Sequence, residues 1–213
     1  MSKPVLFDYF RSSASYRVRI ALNLKGVEYE RVPVDLLEGG QRSPDYRAVN
    51  PQAFVPALDI DGHRLAQSLA IIAYLDSTRP EPPLLPAHPA DAAHVRSLAL
   101  TVACDIHPLN NLRVLKYLKD ELGREQEARD AWYRHWVAEG FASLEAMAEP
   151  RSGRFLFGDG PTLADLCLVP QMFNARRFGV PLEPFPTLVS ADAQASRLDA
   201  FAAAHPDAIA ASP

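Results

Sequence analysis

Residues 5–26 read VLFDYFRSSASYRVRIALNLKG, and this stretch decides the fold of the N-terminal part of the chain. Val5 to Phe10 are mostly apolar or aromatic, which is typical of a short buried strand. Ser15 to Lys25 show a helical pattern that Gly26 ends, because glycine readily adopts the left-handed conformation at a helix C-terminus. The stretch therefore predicts a strand, a serine-containing loop and a helix.

The residues that follow predict the rest of a small mixed sheet. Glu30 to Leu36 alternate apolar and polar residues, which predicts a second strand. A helix joins it to the first strand, so we expect a βαβ unit with parallel strands and a right-handed crossover. Asp61-Gly62, a dipeptide favoured in two-residue hairpin turns, separates two further short strands. A helix over Ser68 to Thr78 follows, with apolar residues at helical spacing. The order βαβ, then ββα, is that of a thioredoxin-like domain.

A proline-rich segment marks the expected domain boundary. Five of the ten residues from Pro80 to Pro89 are proline, which neither a helix nor a central strand tolerates. Beyond it, Asp91 to about Leu122 is a long helical stretch in which Pro108 is the expected point of a bend. Ala131 to Ala148 also have apolar residues at helical spacing, and Thr162-Leu163-Ala164-Asp165 forms a capping box that starts a further helix.

These patterns predict two domains of different class. We expect an α/β, thioredoxin-like domain over residues 1–79, a proline-rich linker over 80–90, and an all-α helical bundle over 91–213.

Composition narrows the classes of function. The formal charge is 22 − 26 = −4, which argues against a protein whose main partner is nucleic acid. The two cysteines, Cys104 and Cys167, have no metal-ligand spacing, so we expect neither a metal site nor a disulfide framework. No stretch of 18 or more apolar residues occurs, and no secretion signal is recognisable at the N-terminus. We expect a soluble, cytoplasmic protein without a membrane partner.

The loop from Arg11 to Arg17 has the features of a thiolate site. It joins a strand end to a helix N-terminus, where free amides and the helix dipole favour an anion and lower the pKa of a thiol. A thioredoxin places Cys-x-x-Cys here, but this loop contains serines, so a thiol would have to come from a ligand. The alternative is that Ser12, Ser13 and Ser15 only cap the helix.

Ser12 to Leu22 resemble the zeta-class glutathione transferases, whose pattern is Ser-Ser-Cys-x-x-Arg-Val-Arg-Ile-Ala-Leu, with Ala14 in place of the cysteine. The resemblance covers nearly the whole chain. Within the class, Cys104 to Leu115 resemble the bacterial maleylacetoacetate isomerases and, slightly less, the maleylpyruvate isomerases. Other matching segments are Asn50-Pro51, Val55-Pro56, residues 67–72, Leu84-Leu85-Pro86 and residues 164–171.

This resemblance implies a set of site residues. Ser12 is the expected catalytic residue, with Ser13 as the backup, and His107 and Asn111 are expected on one face of a helix. The residues expected to bind glutathione are Ser12, Ser13, Ala14, Ser15, Tyr16, Arg17, Gln41, Val55, Pro56, Gln67, Ser68, His107, Asn111, Leu112 and Arg113. In the family, Pro56 follows a cis peptide bond. The arginines expected to bind substrate carboxylates are Arg11, Arg176 and Arg177.

The resemblance also implies an activity. We expect a homodimeric enzyme that uses glutathione as a cofactor to isomerise a small dicarboxylate, maleylacetoacetate, from cis to trans, giving fumarylacetoacetate in tyrosine and phenylalanine catabolism. Maleylpyruvate, a substrate of gentisate degradation, is the alternative, although those isomerases tend to have an arginine where this chain has Leu112. General conjugation of glutathione to electrophiles and a non-catalytic binding module are the remaining alternatives.

Overall fold

The computed structural model describes residues 3–211, whose contacts form two compact units. The first unit runs to Pro83 and also contains the residues from Leu198 onward, and the second unit spans Leu84–Arg197. The first boundary falls within the expected linker at 80–90. The sequence patterns did not predict that the chain returns to the first unit.

The first unit is built on a four-stranded sheet, with strands β1 (Val5–Asp8), β2 (Glu30–Pro33), β3 (Ala57–Ile60) and β4 (His63–Ala66). Their spatial order is β2-β1-β3-β4, in which β1 is parallel to β2 and β3 is antiparallel to both β1 and β4. Asp61 and Gly62 join β3 to β4 with φ angles of 53° and 80°, as a type I′ hairpin turn requires. The thioredoxin-like order is confirmed.

Three helices accompany this sheet in the N-terminal part: α1 (Ser13–Leu24), α2 (Pro44–Val49) and α3 (Ser68–Thr78). The helix α3 has the predicted bounds, whereas α1 begins two residues before the predicted Ser15, directly after its N-cap Ser12. Sequence reasoning missed α2. Its local signal is Ser43-Pro44, in which the serine side chain accepts the amide of Tyr46 and proline occupies the first turn.

The second unit is almost entirely helical, as expected. It contains α4 (Pro89–Leu100), α5 (Leu112–Asp120), α6 (Gln126–Ala148), α7 (Leu163–Arg177) and α8 (Pro186–Ala195). Its buried core includes Val95, Leu98 and Val102 from the first of the predicted apolar faces.

The long helical stretch predicted over residues 91–122 is interrupted around Pro108, the residue at which a bend was expected. After α4 the backbone passes through a wide π-helical turn and a tight 3₁₀ turn before α5 begins. Pro108 cannot donate a helical hydrogen bond, and Asn111 is extended and caps α5 by accepting the amide of Arg113 at 3.1 Å. Consequently His107 and Asn111 do not share one face of a helix, as we had expected.

The start of α7 confirms the predicted capping box. The Thr162 hydroxyl accepts the amide of Ala164 at 3.3 Å, and the carboxylate of Asp165 accepts the amide of Thr162 at 2.8 Å. Asp165 also accepts the amide of Leu156 at 2.9 Å. Burial raises the pKa of Asp165 to about 6. This one side chain therefore satisfies two buried backbone amides that would otherwise lack partners.

The C-terminal segment, which contains α9 (Asp199–Ala202) and α10 (Pro206–Ala210), packs on α1 within the first unit. Three side chains of α1, at the helical spacing i, i+3 and i+7, hold its backbone. Tyr16 Oη, Arg19 Nε and Asn23 Nδ2 donate to carbonyl oxygens of residues 200–204, at 3.5, 3.1 and 2.9 Å. The contacts thus assign residues 198–211 to the first unit, whereas we had expected them in the helical bundle.

Removal of the Asp165 carboxylate should destabilise the second unit strongly. In Asp165→Ala the buried amides of Leu156 and Thr162 lose their acceptor, so we expect the free energy of unfolding to fall by about 2–4 kcal/mol. Urea denaturation monitored by circular dichroism measures this loss. The exposed Glu183, changed to alanine, serves as the control and should shift the free energy by no more than about 0.5 kcal/mol. Equal losses in both variants would contradict the role of the capping box.

Candidate active site

The turn between β1 and α1 presents Ser12 at the N-terminus of α1. The Tyr9 carbonyl accepts the amide of Ser12 at 2.9 Å, which closes the turn. Ser12 Oγ accepts the amide of Ser15 at 3.2 Å, so the hydroxyl caps the helix and still keeps its own proton for donation. Capping and donation to an anionic sulfur are therefore compatible roles, not alternatives.

The neighbours of Ser12 in the loop differ in their surroundings. Ser13 and Ser15 are buried, and Ala14 is half-buried. The Tyr16 hydroxyl lies against the carbonyl of Phe201, at 3.5 Å, and its ring meets that of His205 edge-on. Tyr16, expected among the glutathione-binding residues, thus contacts the C-terminal segment with its hydroxyl.

The Arg17 guanidinium is buried beside the N-terminus of α3. Arg17 is only 2% exposed, and its Nη1 donates to Ser68 Oγ at a long 3.4 Å. Nε and Nη2 are buried and have no hydrogen-bond partner among the described residues, 3–211. Because a buried cation is costly unless it is paired, this arrangement suits an anion that arrives with a ligand. The free amides at the start of α3 favour the same charge.

Arg19, two residues further along α1, provides the opposite case. Its side chain is fully buried, donates to Asp8 Oδ2 at 2.7 Å and to the carbonyl of Phe10 at 2.8 Å, and holds the C-terminal segment as described above. Burial lowers the pKa of Arg19, and the Asp8 carboxylate partly offsets that effect. Arg19 is therefore a structural residue, and Arg17 is the arginine of this pair that is available to a ligand.

The loop before β3 holds Val55, which is buried and precedes Pro56 in a cis peptide bond, as the resemblance implied. Two side chains fix the preceding carbonyl, that of Phe54. Tyr46 Oη donates to it at 2.7 Å and Asn50 Nδ2 at 2.8 Å. Burial raises the pKa of Tyr46 to about 12, so its phenol remains a donor. The supporting role of Tyr46 was missed, because it depends on the unpredicted helix α2.

The two predicted glutamines, Gln41 and Gln67, differ in their local structure. Gln67 precedes α3 with a φ of 69°, and its Nε2 donates to Gln52 Oε1 at 2.9 Å. Gln52 was not among the predicted site residues, although it lies three residues before Val55. Gln41 lies in a short 3₁₀ helix, Gly40–Arg42, and its buried Oε1 has no hydrogen-bond partner among residues 3–211.

The predicted residues of the second unit cluster around the start of α5. His107 is in the 3₁₀ turn, Asn111 is the N-cap, and Leu112, half-buried, is the first helical residue. Arg113 is exposed. The Asn111 side-chain oxygen is used in capping, so the structure gives it a local role beside any contact with a ligand.

The three arginines expected to bind substrate carboxylates are in different electrostatic environments. Arg176 Nη2 lies 2.6 Å from the buried Asp192 carboxylate, which offsets its charge. Arg177 Nη1 instead donates to the neutral Asn174 Oδ1 at 3.1 Å, and its guanidinium lies near the ring of Phe178. Within residues 3–211, the contacts of Arg11 are likewise with neutral groups, the Tyr9 hydroxyl and the rings of Tyr9 and Phe10. Arg11 and Arg177 are therefore better suited than Arg176 to bind a carboxylate.

Comparison with known proteins agrees with this geometry. The family model of the glutathione S-transferase N-terminal domain matches residues 3–77. A maleylacetoacetate isomerase from Rhizobium meliloti (strain 1021) is 54% identical over 97% of this chain and 97% of its own length.

Two solved structures are similar over nearly the whole chain. A holo maleyl pyruvate isomerase, described as a bacterial zeta-class glutathione S-transferase, has a TM-score of 0.95 at 46% identity, covering 98% of this chain and 100% of that one. A maleylacetoacetate isomerase from Methylobacterium extorquens AM1, solved with malonate and glutathione, has a TM-score of 0.91 at 44% identity, covering 95% and 96%.

The chain belongs to the glutathione S-transferase family. Within that family it falls in the zeta class, in agreement with the motif around Ser12. In the range 3–211, none of the helices has the length and apolar character needed to cross a membrane.

The two buried arginines of α1 should respond in opposite ways to removal of charge. Arg17→Met removes a buried cation that lacks a carboxylate partner, so we expect the unliganded protein to melt at a higher temperature. Arg19→Met removes the guanidinium that pairs with the buried Asp8 carboxylate, so we expect the free energy of unfolding to fall by about 3–5 kcal/mol. Thermal melting and urea titration measure both effects. A destabilised Arg17→Met protein would show that its guanidinium is satisfied without a ligand.

Proposed function

We propose that the protein is a glutathione-dependent cis–trans isomerase that converts maleylacetoacetate to fumarylacetoacetate. The observation that carries the proposal is the buried Arg17, whose Nη1 reaches Ser68 at the start of α3 and whose Nε and Nη2 have no partner within the described part of the chain. This cation and the free amides of α3 suit the γ-glutamyl carboxylate of glutathione, so the residues present fit the cofactor. The relatives named above support the reaction.

The chain has a suitable donor for the sulfur of that cofactor. Glutathione, when bound, supplies a thiolate that adds to the cis double bond, which is then single and free to rotate before the sulfur leaves and the trans bond forms. Ser12 Oγ accepts from the Ser15 amide and therefore directs its own proton outward, where it can stabilise an anionic sulfur. Ser13 is the backup for this role, and Val55 is the proposed backbone partner of the cysteinyl part of glutathione.

Arg11 and Arg177 are the proposed partners of the substrate carboxylates. Both guanidinium groups contact aromatic rings and neutral oxygen atoms, so their charge is still available to a dianion. Such cations also stabilise the enolate-like charge that addition to the double bond creates. We do not assign this role to Arg176, whose charge is offset by Asp192.

Maleylpyruvate is the second candidate substrate. The TM-score of 0.95 with a maleyl pyruvate isomerase favours it, since the two backbones are nearly the same. The higher identity, 54%, with a maleylacetoacetate isomerase and the apolar Leu112 favour the larger acid.

We further propose that the enzyme works as a homodimer in the cytoplasm, in the catabolism of aromatic amino acids. Two free cysteines are consistent with a reducing compartment.

Isomerase turnover on both acids, with and without glutathione, tests the proposal. Glutathione-dependent turnover with the higher kcat/KM on maleylacetoacetate is the expected result. A higher value on maleylpyruvate would move the protein to the second candidate. Glutathione binding without turnover on either acid would leave conjugation of other electrophiles, or binding alone, and would overturn the proposal.

Removal of the Ser12 hydroxyl should affect the reaction far more than the fold. In Ser12→Ala we expect kcat to fall about 100-fold because the sulfur loses its donor, with little change in glutathione affinity. Loss of the helix cap should cost about 1 kcal/mol of stability. Ser43→Ala, which removes the N-cap of α2, is the matched control for that loss and should keep its turnover. An unchanged rate in Ser12→Ala would assign the role to Ser13 or to backbone amides.

Arg17→Met should weaken glutathione binding while leaving the thiol donor in place. A hydrogen-bonded charge pair is worth about 1.5–3 kcal/mol, so we expect the Kd for glutathione to rise about 10-fold to 100-fold. Isothermal titration calorimetry measures the change. An unchanged Kd would exclude Arg17 from the glutathione site.

A further inference from the structure

Arg11, directly before Ser12, is held by groups that do not neutralise it. Its Nη2 donates to Tyr9 Oη at 2.9 Å. Its guanidinium carbon lies 4.9 Å from the ring centroid of Phe10 and 5.8 Å from that of Tyr9. Over residues 3–211 no carboxylate forms an ion pair with it. The cation is therefore oriented by a neutral phenol and two aromatic rings.

Tyr9 is itself fixed at both ends. Its ring is tilted against that of Phe10, at 4.8 Å between centroids, and packs on the buried cluster of Val34, Tyr46 and Val55. Its carbonyl accepts the amide of Ser12. One residue thus ties the turn to Ser12 through the backbone and to Arg11 through the phenol, so the position of the guanidinium relative to Ser12 is set before any ligand arrives.

Most other arginines with side-chain partners in this chain bind aspartate. Arg31 binds Asp8 and Arg64 binds Asp59, and in each pair the carboxylate already offsets the charge of the arginine. If the partner of Arg11 were a carboxylate, it would compete with an acidic substrate. A phenol oxygen accepts the same hydrogen bond without adding negative charge, which leaves the cation attractive to a dianion.

We propose that Tyr9 is a positioning residue that orients Arg11 to receive a substrate carboxylate. The phenol occupies one of the five N–H donors and fixes the plane of the guanidinium, so that the remaining donors face the ligand without first losing side-chain entropy. The inference rests on the proposed function, because it assigns an acidic substrate to the same site. Its effect is on affinity for carboxylates and not on the thiol chemistry of Ser12.

Tyr9→Phe is the informative variant, because it keeps the ring and the backbone bond and removes only the phenol oxygen. The probe is malonate, titrated by calorimetry into protein saturated with glutathione. We expect its Kd to rise about fivefold in Tyr9→Phe, the value of one hydrogen bond, while the Kd for glutathione stays unchanged. Tyr74→Phe removes the phenol bound to Asp61 at 3.0 Å and is the matched control, with no expected change in either Kd.

A double-mutant cycle separates positioning from general stability. If Tyr9 acts through Arg11, Tyr9→Phe should have no further effect on malonate binding in an Arg11→Ala background. An unchanged malonate Kd in Tyr9→Phe, an equal effect in the Arg11→Ala background, or failure of the wild-type protein to bind malonate would each overturn the inference. Turnover of wild-type protein on the two acids, measured in parallel, decides the proposed function separately, because malonate binding does not require isomerisation.

Discussion

The arrangement of β1, β2 and α1 around the turn that carries Ser12 depends on the ion pair between Asp8 and Arg19. Asp8 ends β1 and is fully buried, and Arg19 meets it at 2.7 Å from the middle of α1. Arg31 of β2 binds the other carboxylate oxygen at 3.1 Å. Because buried charges must be matched, the end of β1, its neighbour β2 and the helix α1 are held in one arrangement. The turn that carries Ser12 starts at the residue after Asp8.

The buried arginines show how one side-chain type serves two purposes in the same helix. Arg19 has an acceptor for each of its three nitrogen atoms, two of them backbone carbonyls. Among residues 3–211, Arg17 has one long hydrogen bond, to Ser68. The fully paired Arg19 is a fixed part of the fold, whereas the incompletely paired Arg17 can still attract an anion. The partner groups, and not the residue type, distinguish the two arginines.

Local features of this chain were predictable, and features created by packing were not. The hairpin at Asp61-Gly62 and the cap of α7 at Thr162 are short-range signals, and both were found. Pro108 indicated a bend, but the π-helical turn before it and the extended Asn111 after it could not be predicted, because the apolar periodicity continues through the π-helical turn. Arg17 and Arg19 lie two residues apart on a helix and therefore face differently, but spacing alone does not tell which of them meets Asp8. The bond between the Tyr9 phenol and Arg11 could not be predicted, because the two residues lie in a turn, where no fixed periodicity places side chains on one face.

The attachment of residues 198–211 to α1 has a consequence for how the protein is made. Tyr16 and Arg19 reach their carbonyl partners across a sequence separation of 185 residues. During synthesis the first unit must therefore wait, with the Nε of a buried guanidinium lacking its partner, until the whole second unit and the residues up to Ala204 have left the ribosome. Contacts of such high contact order form late and slow the final step of folding. The helix α1, which Ser12 caps, is thus held by residues that are translated long after it.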